Sequence, residues 1–196
     1  MRERIRFCPA VGSGKGLAMM RKREATRDYL VEIWFEIEKD ADGYPESKTS
    51  EALLARPTAE IDQFVLESVP FYLKNVSRGD LVKTTIVQEE DGQIFEFDDV
   101  VERGGHNTYR LLLPERQPDE PESTINELKS KGLVVEEEHG ILLAVDVPPS
   151  TDQQAIDAYL LAECHAGRWE MQDGYLHTVK THDPCSIEGG EPADSH

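Results

Sequence analysis

Long apolar runs are missing from this chain of 196 residues. No stretch approaches the ~20 apolar residues a membrane-spanning helix needs. The N-terminus lacks the apolar segment of a secretory signal. The chain therefore reads as soluble and cytoplasmic, with no membrane partner. Cysteine is scarce. Cys8, Cys164 and Cys185 are odd in number, far apart and form no CxxC pair. That excludes a disulfide framework and gives no zinc signature, so three ordinary thiols in a reducing compartment is the simplest reading. Positive charge is the third deficit: 21 Lys and Arg stand against 39 Asp and Glu, a net of −18. Such a surface is a poor match for duplex nucleic acid, whose phosphates require basic side chains. Catalytic signatures are absent too. No Gly-x-Ser-x-Gly elbow occurs, and no cysteine has a base beside it in sequence. The histidines show no metal-ligand spacing, so neither a metal nor a cofactor is implied.

What charge there is falls unevenly. Residues 1–27 carry a net of +6 and residues 178–196 a net of −3, which leaves −21 on the stretch between. Gly12-Ser13-Gly14-Lys15-Gly16 lacks the spacing and the preceding strand of a phosphate loop. Residues 1–28 thus read as a basic flexible leader. Residues 179–196, with no apolar periodicity, read as a disordered tail.

Between these ends the chain divides by rhythm. Val31, Ile33, Phe35 and Ile37 alternate with Glu32, Trp34 and Glu36, the pattern of a half-buried strand. Further short strands are expected at 51–57, 63–66, 81–88 and 93–101, the last two joined by an Asp91-Gly92 hairpin. Residues 29–104 accordingly form a β-rich barrel or sandwich domain. Residues 105–178 read differently: a strand at 108–113, a helix opened by a Thr124–Glu127 capping box, and strands at 133–137 and 141–147, the latter largely apolar on both faces and so expected to be central. A helix capped by Ser150 with Gln153 follows, then a last strand within 168–177. The order β-α-β-β-α-β is the ferredoxin-like pattern. The fold class is therefore α+β, a small β-rich domain followed by a ferredoxin-like one.

Asp42-Gly43-Tyr44-Pro45, Glu51-Ala52-Leu53-Leu54-Ala55-Arg56-Pro57, Val69-Pro70-Phe71-Tyr72 and Gly79-Asp80-Leu81-Val82 occur in that order. Val100 through Arg110, Leu143 through Pro149 and Gly167-Arg168-Trp169-Glu170 follow them. Read together, these segments resemble an uncharacterised bacterial family, domain of unknown function 4265, over roughly residues 30–178. The resemblance implies membership and brings no activity with it.

His106, Thr108 and Arg110 run at alternate positions out of a Gly-Gly turn into a strand, which puts three polar side chains on one face. An imidazole, a hydroxyl and a guanidinium together can bind a carboxylate or phosphate. With Asp98 or Asp99 nearby, His106 can also serve as a general base. The competing reading is structural: Asp146, on an apolar strand, wants a partner, and Arg110 is an obvious one. Glu136, Glu137, Glu138 and Trp169 are candidate interface residues, although a core role suits so large an apolar body as Trp169 better. Turn chemistry accounts for Asp80. The charge and the missing catalytic signature favour a non-catalytic, inhibitor- or immunity-like module for a basic protein. The alternative is a small-ligand binder or enzyme built on His106, Thr108 and Arg110 at the domain joint.

Overall fold

The computed structural model describes residues 29–39, 45, 47–89, 92–114 and 120–177. The expected leader and tail lie outside the described residues. Five strands, β1 (Val31–Glu36), β2 (Ser50–Pro57), β3 (Gln63–Leu66), β4 (Leu81–Glu89) and β5 (Gly92–Glu102), close into a barrel. Successive strands pair antiparallel, and parallel pairing of Ile33 with Phe95 and Trp34 with Glu96 seals the seam. Register shifts between Leu81 and Val82 and between Lys83 and Thr84 bend the β4–β5 ribbon. Such bulges raise local twist, which a five-stranded closure needs. Alternation places Ile33, Phe35, Leu53, Ala55, Phe64, Leu66 and Val82 inside. Phe97 stacks on Phe35 with centroids 4.6 Å apart.

The second body contains β6 (Asn107–Leu112), α1 (Glu120–Ser130), β7 (Val134–Glu138), β8 (Leu142–Val147), α2 (Gln153–His165) and β9 (Glu170–Asp173). Its sheet runs β7-β8-β6-β9, antiparallel throughout. The apolar strand expected to be central, β8, is central. One sheet face carries Tyr109, Leu111, Val135, Leu143, Val145 and Val147 against Leu128, Ile156, Leu160 and Cys164 of the helices.

Both helix starts differ from the sequence expectation. The first helix begins at Glu120, not at Thr124, with Pro121 in its first turn, where a fixed φ and a missing N–H cost nothing. Thr124 is buried within it. The second is capped by Asp152, whose carboxylate accepts from the Ala155 N–H. Gln153 reaches instead to the Gly105 carbonyl. Cys164 is disulfide-bonded, so the three cysteines are not all thiols. Wide sequence spacing says nothing about proximity in the fold. Among the described residues, no helix is long and apolar enough to cross a membrane.

Candidate functional site at the joint between barrel and sheet

The two-residue period of a strand divides the sheet. Odd-numbered residues of β6 and β8 face the helices, so Thr108, Arg110, Ala144 and Asp146 face the other way. Glu136 and Glu138 of β7 share that polar face. It meets the segment 67–80, which links β3 to β4 and folds under the barrel.

Hydrogen bonds tie the two together, beside buried Val69, Leu73, Val76 and Ala144. Glu136 accepts from the Val69 N–H at 2.9 Å. Tyr72 donates its hydroxyl to Glu138, which also pairs with Lys48. Arg110 donates to the Leu73 carbonyl and to Gln172. Ser77 and Thr108 share a 2.8 Å hydroxyl–hydroxyl bond. Glu51, at the inward-facing end of β2, accepts from the N–H groups of Phe71, Tyr72 and Leu73. Its burial pushes its carboxyl up, and those N–H bonds and Arg110 only partly offset this.

Asp80 is fully buried at the start of β4. It accepts from the Ser77 N–H at 3.1 Å, from Arg103 at 2.9 Å and from the Gly104 N–H at 2.8 Å. Turn chemistry is thus one of three tasks it performs. By holding Gly104 it draws the Gly104–His106 turn onto Gly79, so closely that a Cβ on Gly104 would lie 2.5 Å from the Gly79 carbonyl. Gly79, at φ +84°, leaves the space in which the His106 ring sits.

The ring's Nδ1 lies 2.8 Å from Asp146 Oδ1, and Arg78 Nη1 lies 3.9 Å from Asp146 Oδ2. Asp146 is fully buried, and Oδ2 has no hydrogen-bond partner among the described residues. The carboxylate fixes the imidazole: when Nδ1–H donates to Asp146, Nε2 presents a lone pair. The structure therefore brings His106, Thr108 and Arg110 into one joint, but two of the three are internal. Thr108 is fully buried and Arg110 is 5% exposed. Asp146 is partnered by His106 and Arg78, and its cross-strand neighbour is Thr108, not Arg110.

Of the acidic interface candidates, Glu136 and Glu138 are half-buried and turned into the joint, whereas Glu137 stays exposed. Glu136 and Glu138 join the two bodies, and Glu137 accepts from the Gly140 N–H. Trp169 is 2% exposed and donates its indole N–H to the Leu160 carbonyl, so it is a core residue and not an exposed anchor. Sequence reasoning overlooked Ser77, Arg78 and Glu51. The first two were hidden in what reads as a plain turn. Glu51 carried a signal in its parity, which places it on the same inward face as Leu53 and Ala55. Among the described residues, no group of three His, Cys, Asp or Glu side chains is arranged to hold a metal ion.

Burial raises the carboxyl of Glu136 above the usual 4.5, although the Val69 N–H and Arg78 pull it down in part. A raised native pKa means that the folded protein holds more protons than the unfolded one, so this group's contribution to stability falls as pH climbs above 4.5. Glu136→Gln removes that dependence. Urea unfolding of both proteins across a pH series should show the difference moving in favour of the Glu136→Gln variant as pH rises. A difference independent of pH would show that burial does not shift this carboxyl.

A closed barrel joined through hydrogen-bonded polar groups to a helix-backed sheet defines an α+β protein of two packed bodies. The chain belongs to the family described as a domain of unknown function (DUF4265), whose model matches residues 51–171. A crystal structure of a hypothetical protein from Neisseria gonorrhoeae is similar in fold. The TM-score is 0.56 at 16% identity, over 77% of this chain and 98% of that one. No curated protein matches.

Proposed function

We propose that this chain is a non-catalytic, acidic protein-binding module, inhibitor- or immunity-like, for a basic partner. One observation carries the reading: the carboxylates of the joint are satisfied within the chain, whereas three on the barrel exterior meet no described cation. Those of the joint are consumed by backbone N–H groups and cations of the same chain. Glu32, Glu36 and Glu96 on the barrel exterior are exposed, and no described cation pairs with them. With a net of −18, that exterior supplies a negative field which favours and steers a basic protein. The same reading treats 29–104 and 105–178 as two domains and the second as ferredoxin-like, a view supported by its element order and its β7-β8-β6-β9 sheet. It places the protein in the cytoplasm, where a reducing thiol pool would open the Cys164 bond.

Immobilised full-length chain, challenged with lysate of its source cell at ~0.1 M salt, should retain one basic protein in stoichiometric amount. At ~1 M the Debye length falls from ~10 Å to ~3 Å and the protein should be released. Nothing enriched at low salt would sink this reading. The second reading, a small-ligand site at the joint, would then lead, because the buried Asp146 orients His106 and leaves Nε2 outside that pairing.

A further inference from the structure

We infer that the outer face of β1 and β2 is the docking surface, and that it takes an extended segment of a partner protein in which Arg or Lys alternates with apolar residues. This rests on the basic-partner reading above and names its surface. Tyr29, Leu30, Trp34 and Leu54 are 38%, 45%, 40% and 38% exposed, and they make up half of the large hydrophobic side chains exposed among the described residues. Strand alternation points Glu32, Trp34 and Glu36 outward, and Leu30, exposed, lies just before the strand. The β1–β2 register sets Leu54 opposite Glu32 and Ala52 opposite Trp34. Leu54 is thus the diagonal neighbour of Trp34, within reach of an indole. Across the barrel seam, Glu96 is the register partner of Trp34.

An exposed indole therefore has a carboxylate on either side along its own strand and a third across the seam. A guanidinium or ammonium laid on the ring face gains a cation–π contact while staying close to those charges. Leu30 and Leu54 offer apolar contact at the next position along the face. The partner's period follows from the strand's own: like-facing side chains recur every second residue, about 7 Å apart. Because β1 is paired with β2 along its length and with β5 at Ile33 and Trp34, the barrel leaves little of its edge open. Recognition must run through side chains, not through strand addition. Charge excludes two other occupants. A second copy brings the same carboxylates, and an anionic lipid surface repels them.

The test uses the full chain and a nine-residue peptide alternating Arg and Leu, with a Gln-and-Leu peptide as control. Trp169 is 2% exposed, so acrylamide quenching of tryptophan fluorescence reports on Trp34. The Arg peptide should protect Trp34 saturably at low salt and the control should not. Its Kd, read by isothermal titration calorimetry so that a variant without the indole can be measured, should rise at least tenfold in Trp34→Ala and in the Glu32→Gln, Glu36→Gln, Glu96→Gln triple variant, all substitutions of exposed side chains whose folding a thermal melt checks. Unchanged affinity in both variants would overturn this surface. Capture of a basic lysate protein by Trp34→Ala as strong as by the unaltered chain would do the same while leaving the basic-partner reading intact. No capture by any form would remove that reading itself. A Trp34 already shielded at low salt without peptide, and uncovered at ~1 M, would give the face to the chain's own residues 1–28 and overturn the partner assignment.

Discussion

Replacing Asp80 by alanine is expected to lower folding stability by about 3 to 4 kcal/mol. The side chain is fully buried and satisfies three donors at once: the Ser77 N–H, the Gly104 N–H and the Arg103 guanidinium. Alanine leaves two backbone N–H groups in or near the interior without that acceptor. Arg103 is one-third exposed and still donates to the Asn75 carbonyl, so its share of the loss is the smallest. Asp80→Asn keeps the shape and one carbonyl oxygen, and should cost roughly half as much, because charge-assisted bonds are about twice as strong as neutral ones. Urea denaturation of the three proteins measures this directly. Equal stability of Asp80→Ala and the unaltered chain would show that the joint does not depend on the hub that Asp80 forms.

The expected loss is large because Asp80 ties its own turn to the Gly104 turn, through three donors at once. Each body has its own hydrophobic cluster, and the residues between them are Glu51, Tyr72, Ser77, Thr108, Arg110, Glu136 and Glu138. A polar joint of this kind is directional. Its hydrogen bonds fix how the sheet sits beneath the barrel, whereas apolar contacts would allow sliding.

Most of the architecture was legible because it follows from period and punctuation. Alternation at 31–37 gave β1 and its two faces, Trp34 on the outer one included. Asp91-Gly92 marked the β4–β5 hairpin, and the twofold-apolar stretch 141–147 marked a central strand. Closure of the barrel was not legible, since the parallel pairing of Ile33 with Phe95 joins residues far apart in sequence. The helix starts were displaced for a local reason: several residues can cap, and packing chooses among them. Asp152 takes the cap once Gln153 turns to Gly105.

For the candidate site, strand parity correctly put His106, Thr108 and Arg110 on one face, but parity cannot say what that face meets. A face of three polar residues suggests solvent or ligand. Here it meets segment 67–80: Arg110 donates to the Leu73 carbonyl, Thr108 bonds the Ser77 hydroxyl, and that hydroxyl also donates to the His106 carbonyl. Asp146 was correctly expected to need a partner. The choice of His106 over Arg110 depends on the Gly104–His106 turn lying against Gly79, a contact that no local pattern encodes.

That contact supports the second large effect. Gly79→Ala should destabilise the protein by about 3 kcal/mol, from two sources that can be separated. Left-handed backbone at φ +84° costs a residue with a Cβ about 1 kcal/mol. The remainder comes from the new methyl, which would lie 2.7 Å from Cδ2 and Nε2 of the His106 ring. Relieving that overlap moves the ring off Asp146 and leaves a fully buried carboxylate with only Arg78, 3.9 Å away. In a His106→Ala background the ring is gone, so Gly79→Ala should cost only the ~1 kcal/mol of backbone strain. The double-mutant cycle should therefore show a coupling of about 2 kcal/mol between residues 27 positions apart. Strict additivity would mean that the ring yields freely, and that Gly79 is required for its backbone alone. Coupling of the expected size would mean that glycine at 79 holds the His106–Asp146 pair in register. The turn 77–80 would then be a structural brace of the joint, which leaves the outer face of the barrel as the surface free for a partner.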